Sequence, residues 1–175
     1  MNKINFKKDV LPYLIILLVI IIIKELVIYP VRVKGTSMNP NLVDGDIMIL
    51  NEIGLRFRPI KRGDIVVANV NGTYIIKRVI GLPSDKLLYS NNKLYINGEE
   101  YKEKYLNDNA IKDTCNYSYD LCEHVVEVPK NKYYLMGDNR GVSEDSRMLG
   151  YFDKGSIKGV AKHIIFPISR FGNVE

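Results

Sequence analysis

Residues 10–23 form an unbroken apolar run, and no later stretch of the chain repeats that texture. A helix packed on a protein core keeps a polar face, and this run has none. It is short of the roughly 20 residues that cross a hydrocarbon layer, but apolar character resumes after Lys24 and Glu25 through Leu26, Val27, Ile28 and Tyr29. Lys24 can snorkel toward headgroups, and Tyr29 is a residue type of the membrane interface. The pattern predicts a tail and a tilted transmembrane anchor over residues 1–30. A cleaved leader would need small residues just beyond the run, and residues 24–30 offer none. The tail carries Lys3, Lys7 and Lys8. So short a tail predicts a cytoplasmic N-terminus, a single pass through the cell membrane and an extracytoplasmic domain over residues 31–175.

After Pro30 the texture changes to short β-branched runs punctuated by Gly, Pro, Asn and Asp, a strand-and-turn pattern. Strands are expected at 31–33, 46–51, 64–70, 73–80, 93–96, 125–128, 133–136 and 156–165. Asn71-Gly72 predicts a hairpin between 64–70 and 73–80, and Asn97-Gly98 a second after 93–96. Residues 91–123 are more polar and weakly periodic, and read as a small subdomain outside the main core. The soluble part is expected to be mostly β, closed or partly closed as a barrel.

With 175 residues there is room for one catalytic-sized domain and an appendage. The formal charge of +5 is spread among acids along the chain rather than clustered. That argues against a nucleic-acid partner and suits mild attraction to an anionic lipid bilayer. Cys115 and Cys122 lie close together in a polar stretch, which suits a small disulfide loop on an exported domain. A pair of free thiols is the alternative. A bridge there is expected to leave catalysis largely untouched, because the loop is remote from the candidate chemistry in sequence.

Three segments carry that chemistry. Gly35-Thr36-Ser37-Met38-Asn39-Pro40, just before Asp44-Gly45-Asp46, is by itself an ordinary turn. In 74–83, strand pleating puts Lys77 on one face with Ile75 and Val79, and Ile76 and Arg78 on the other. Burial beside those aliphatics would disfavour the ammonium and lower its pKa, as a lysine base requires. The loop 136–147 packs Asp138, Asn139, Arg140, Ser143, Glu144, Asp145, Ser146 and Arg147 into one polar stretch, where charge-assisted bonds can brace it.

Taken in order, these segments together with Arg62-Gly63-Asp64-Ile65-Val66-Val67 resemble the type I signal peptidases, serine proteases with a Ser-Lys dyad. The resemblance spans nearly the whole chain and is nearest the compact Gram-positive type with one anchor. It implies a signal-peptidase-like β fold with a protruding β subdomain, and a membrane-anchored endopeptidase that removes signal peptides from exported preproteins. Carried over, it makes Ser37 the nucleophile, Lys77 the general base and Ser143 the residue orienting the amine. Asp138, Asn139, Arg140, Asp145 and Arg147 would support the active-site loop. The oxyanion site would use the Ser37 amide and the position of Gly35, where some relatives place a serine hydroxyl; with glycine there, a backbone amide, the Thr36 hydroxyl or water would be the second donor. Val31, Val33, Met38, Leu42 and Ile76 would line shallow pockets for small residues before the cut. Asn41 departs from the threonine that often follows the proline. No metal or organic cofactor is implied. Three other readings compete: a Ser-His-Asp hydrolase using His124 or His163, a tethered β domain that binds a partner through residues 91–123, and a Ser-Lys peptidase that cleaves itself or one dedicated partner.

Overall fold

The structure is a computed structural model that describes residues 6–25, 28–52, 55, 58–117, 121–122 and 124–174. The start of the basic tail with Lys3, the apolar Leu26 and Val27, and Glu123 at the end of the expected subdomain lie outside them. A π-helical turn, Phe6–Val10, leads into helix α1, Leu11–Glu25. Tyr13 and residues 14–20 of α1 are exposed aliphatics and aromatics. At about 1.5 Å per residue α1 spans roughly 22 Å, short of a hydrocarbon layer of about 30 Å. Among the described residues, no helix is long and apolar enough to cross a membrane. The expected continuation to Pro30 is corrected here. Ile28 and Tyr29 leave the helix for strand β1, Ile28–Arg32, where they pair with Asn51 and Leu50 of β2, Ile47–Asn51.

The remaining strands are β3, Ile65–Val70; β4, Thr73–Gly81; β5, Lys86–Ser90; β6, Lys93–Ile96; β7, Glu99–Tyr101; β8, Val126–Glu127; β9, Lys132–Met136; β10, Phe152–Asp153; β11, Ile157–Phe166; and β12, Gly172–Asn173. Two short helices, α2 at Asp108–Asp113 and α3 at Ser146–Leu149, sit between them. The fold is mostly β and antiparallel, as expected. The larger sheet runs β1-β2-β11-β3-β4-β9-β10, with β12 on β11, and the smaller runs β7-β6-β5-β8. Neither closes: β1 and β10 end the large sheet without pairing with each other, so the expected barrel closure is not formed among the described residues. Coverage of both faces replaces it. Ile65 and Val67 of β3 enter one core with Val33, Met38, Leu42 and Met48, while Val66 and Ala68 enter another with Val79 and Leu135.

Hairpin turns fix the registers. Asn71 and Gly72 both have positive φ, as do Asn91 and Asn92, and Asn97 and Gly98. Paired left-handed positions twist a two-residue turn to match its strands, and asparagine and glycine tolerate them best. The smaller sheet starts at Lys86 and ends at Glu127, wider than the expected 91–123, because Leu87 and Tyr89 of β5 alternate inward. They share a third core with Leu121, Tyr134 and Met136, so the smaller sheet is packed on β9. Cys115 and Cys122 are joined in a disulfide, their Cα atoms 5.8 Å apart.

Candidate active site

The segment that carries Ser37 leaves β1 and returns to β2 through a closed loop. Val33 N donates to Asp46 O (2.8 Å) and Gly45 N to Val33 O (3.0 Å). The Asp46 carboxylate takes Val43 N inside the loop and Arg170 Nε from the far end of the chain, and Arg170 Nη2 also reaches Asn41 O (2.9 Å). Val33, Met38 and Leu42 are buried beneath, which lifts the half-exposed Ser37 off an apolar floor. Gly35 has φ +83°, and its N–H donates to Asp44 Oδ1 (2.8 Å).

Lys77 reaches Ser37 from the middle of β4, its Nζ donating to Ser37 Oγ at 2.8 Å. Its side chain is on a strand buried on both faces and the residue is only 3% exposed. Burial lowers the amine below the ordinary lysine value; Asp145 opposes that shift through its negative charge and Arg147 reinforces it. No hydrogen bond joins Ser143 to Lys77. Ser143 is buried; its Oγ makes no hydrogen bond of good geometry among the described residues, although it lies near enough to Asp145 to help lower that carboxyl.

The loop 137–147 forms the wall opposite, and buried ion pairs shape it. Arg78 grips Asp138 with two bonds of 2.8 and 2.7 Å and lies 4.0 Å over the Tyr105 ring. Asn41 Nδ2 donates to Asp138 Oδ2 (2.8 Å) and Tyr105 O (2.9 Å), tying the Ser37 segment to this wall. Asn139 completes the link: its N–H donates to Ser37 O (3.0 Å) and its Nδ2 to Thr36 O (3.1 Å). Asp145 takes Arg147 Nε and Nη2 at 2.9 Å each and the Gly137 N–H at 2.9 Å. Burial alone would raise the Asp145 carboxyl, yet its bonds from Arg147 and Gly137 hold it below the usual carboxylate range. Arg140 pairs with Glu103 and donates to Thr114 Oγ1 (2.9 Å) and Gly137 O (3.0 Å). Burial works against its charge, and Glu103 overcomes that to keep it protonated. Gly137 is obligatory for space: a methyl group there would collide with the Ser143 side chain and come within 2.5 Å of Ser37 O.

Ser37, Lys77, Asp138, Asn139, Arg140, Ser143, Asp145 and Arg147 are therefore gathered around one wall and floor. Other expected residues are placed differently. The Gly35 amide is committed to Asp44, whereas the Ser37 N–H makes no hydrogen bond among the described residues. Leu42 is 0% exposed and Met38 and Val33 are nearly so, which makes them core; Val31 and Ile76, packed on the same cluster, are half-buried. His124 and His163 are exposed and neither bonds to Ser37. Sequence reasoning missed Arg78, Tyr105, Glu103, Thr114 and the role of Asn41. An arginine in a strand next to a buried lysine was the one available signal, since its charge requires an acid such as Asp138.

A family model described as "Signal peptidase, peptidase S26" matches residues 7–166. The chain is 35% identical to signal peptidase IB of Staphylococcus aureus strain COL, with 94% of each covered. It is 41% identical to signal peptidase I P of Bacillus subtilis subsp. natto, over 85% of this chain and 82% of that one. Among solved structures, a signal peptidase I from Enterococcus faecalis V583 is 32% identical with a TM-score of 0.48, covering 59% of this chain and 97% of that one. A family match across most of the chain, with relatives of this identity over nearly their full length, means that the chain belongs to the signal peptidase, peptidase S26, family, serine endopeptidases that remove signal peptides.

Proposed function

We propose that Ser37 and Lys77 are the catalytic dyad of this signal peptidase. The observation that carries the reading is the 2.8 Å approach of a buried lysine amine to a half-exposed serine hydroxyl. The neutral amine takes the Oγ proton as Oγ attacks the scissile carbonyl. The uncommitted Ser37 N–H stabilises the developing oxyanion. Collapse breaks the peptide bond, and the Lys77 ammonium returns its proton to the leaving amine. The same amine then activates the water that releases the acyl group. Ser143, buried against Gly137, holds the amine once Ser37 Oγ is acylated.

The substrate lies along β4 as an added strand. β9 pairs only from Arg78 onward, which leaves the edge at Thr73–Ile76 opposite β3 unpaired among the described residues. Alternate side chains of an extended peptide point the same way, so residues one and three before the cut both face Val31 and Ile76. Val31 and Ile76, packed on the core beneath, offer a shallow apolar surface that suits small residues such as alanine. Membrane attachment belongs to the same proposal. The exposed apolar side chains of α1 hold the domain at the bilayer, with the N-terminus cytoplasmic and the catalytic domain outside. Incubation with a preprotein carrying an Ala-X-Ala site tests the dyad: Ser37→Ala abolishes cleavage, and retained cleavage refutes the assignment.

A further inference from the structure

The stretch 113–115 belongs to the smaller sheet's connection, yet it touches the catalytic loop at three points. Arg140 Nη1 donates to Thr114 Oγ1 (2.9 Å), and Arg147 Nη1 donates to Thr114 O (3.0 Å). Asp113 lies over Gly141, where an added methyl group would come within 2.8 Å of its Oδ2. Thr114 is 0% exposed and its hydroxyl donates to Ala110 O (3.1 Å), which aims the oxygen's lone pairs at Arg140. What keeps this stretch in place is not helical propensity. α2 has six residues and the 3-10 turn Thr114–Tyr117 has four, and helices so short are marginal in water.

The disulfide supplies the fixation. Cys115 follows Thr114 directly, and its partner Cys122 adjoins Leu121, which is fully buried in the core that holds Tyr134 and Met136. Met136 is the residue before Gly137. We infer that the Cys115–Cys122 bridge and Thr114 are positioning elements for catalysis: the bridge clamps the 3-10 turn to the core, and Thr114 then holds Arg140 and Arg147 so that Gly137, Ser143 and Asp145 stand correctly against Ser37 and Lys77. This overturns the expectation that the bridge is remote from the chemistry. It rests on the Ser37–Lys77 reading. Arg147 also lowers the Lys77 pKa through its charge, so a loosened Arg147 lets it rise.

The test uses the full chain in detergent, assayed on an Ala-X-Ala preprotein in three forms: reduced with a phosphine and alkylated at both thiols, Thr114→Val, and Thr114→Ser. Circular dichroism at the assay temperature verifies folding. The first two forms lose kcat by about tenfold, less than the ~100-fold that a ~1 Å misplacement costs, with KM unchanged and the rising pH limb moved to higher pH. Thr114→Ser, which keeps the hydroxyl, matches the wild type. Thr114→Val indistinguishable from Thr114→Ser overturns the proposal, as does wild-type kcat and pH limb in the reduced, alkylated protein. Full activity in Ser37→Ala would instead remove the dyad reading on which it rests.

Discussion

In the proposed dyad, burial of Lys77 sets how both rate and stability respond to pH. An ordinary lysine of pKa about 10.4 is neutral in roughly four molecules per ten thousand at pH 7, so the lowered value is what arms the base. Cleavage therefore rises with pH along a limb at the Lys77 pKa, below the usual lysine range. Lys77→Arg abolishes cleavage because guanidinium stays protonated, and His163→Ala leaves the limb in place. Stability follows from the same shift. Between the lowered folded value and the ordinary unfolded one, the unfolded chain binds more protons, so stability rises with pH through that window. Below the folded pKa the cost of burying the ammonium is felt in full. Lys77→Met, inactive, is accordingly more stable than wild type in urea denaturation at neutral pH, and its advantage shrinks in alkaline buffer. Gly137→Ala tests the other side of the site. Pushing Ser143 and Ser37 O apart misplaces the nucleophile and lowers kcat by ~100-fold or more, read in the same assay with folding checked by circular dichroism. The juxtaposition of Ser37 and Lys77 was legible because motif order selected them out of unremarkable turns and strands. Gly35 was not, since its amide partner Asp44 sits nine residues on and only the folded loop joins them.

The strands were read well where one hydrophobic pattern decided them. β3 and β4 follow from β-branched runs around Asn71-Gly72, and β11 from its long aliphatic stretch. β5 was missed because Lys86 and Ser90 dilute a strand whose inward residues are only Leu87 and Tyr89. Arg78 shows a deeper limit. Pleating correctly set it opposite Lys77, but β4 is buried on both faces from Lys77 onward, and only tertiary packing reveals that. Its pairing with Asp138 stitches β4 to the catalytic loop. Removing one partner of a buried pair strands the other charge, at about 3–5 kcal/mol. Asp138→Ala thus loses that order of stability in urea denaturation, whereas Arg78→Met/Asp138→Leu regains much of it. Neither variant keeps wild-type kcat, because the Asn41 anchor on Asp138 is gone in both.

How the domain meets its substrate depends on α1. Removing residues 1–27 is expected to leave cleavage of a short soluble peptide within a few-fold of wild type, while cleavage of a preprotein presented in vesicles falls sharply, since tethering raises effective concentration. Equal loss on both substrates would overturn the tethering role. External protease on intact cells should digest the region beyond Pro30 and spare the tail; a protected C-terminal tag would reverse the orientation. The tie between Arg170 and Asp46 has a further consequence. These partners are 124 residues apart, and β2 lies between β1 and β11, so both the loop that carries Ser37 and the strand beside it are completed by the last part of the chain. At about 5–20 residues per second, a ribosome needs roughly 6–25 s to make what lies between them. Throughout that interval the Asp46 carboxylate lacks its Arg170 partner, so the loop that carries Ser37 is closed only once Arg170 has been made.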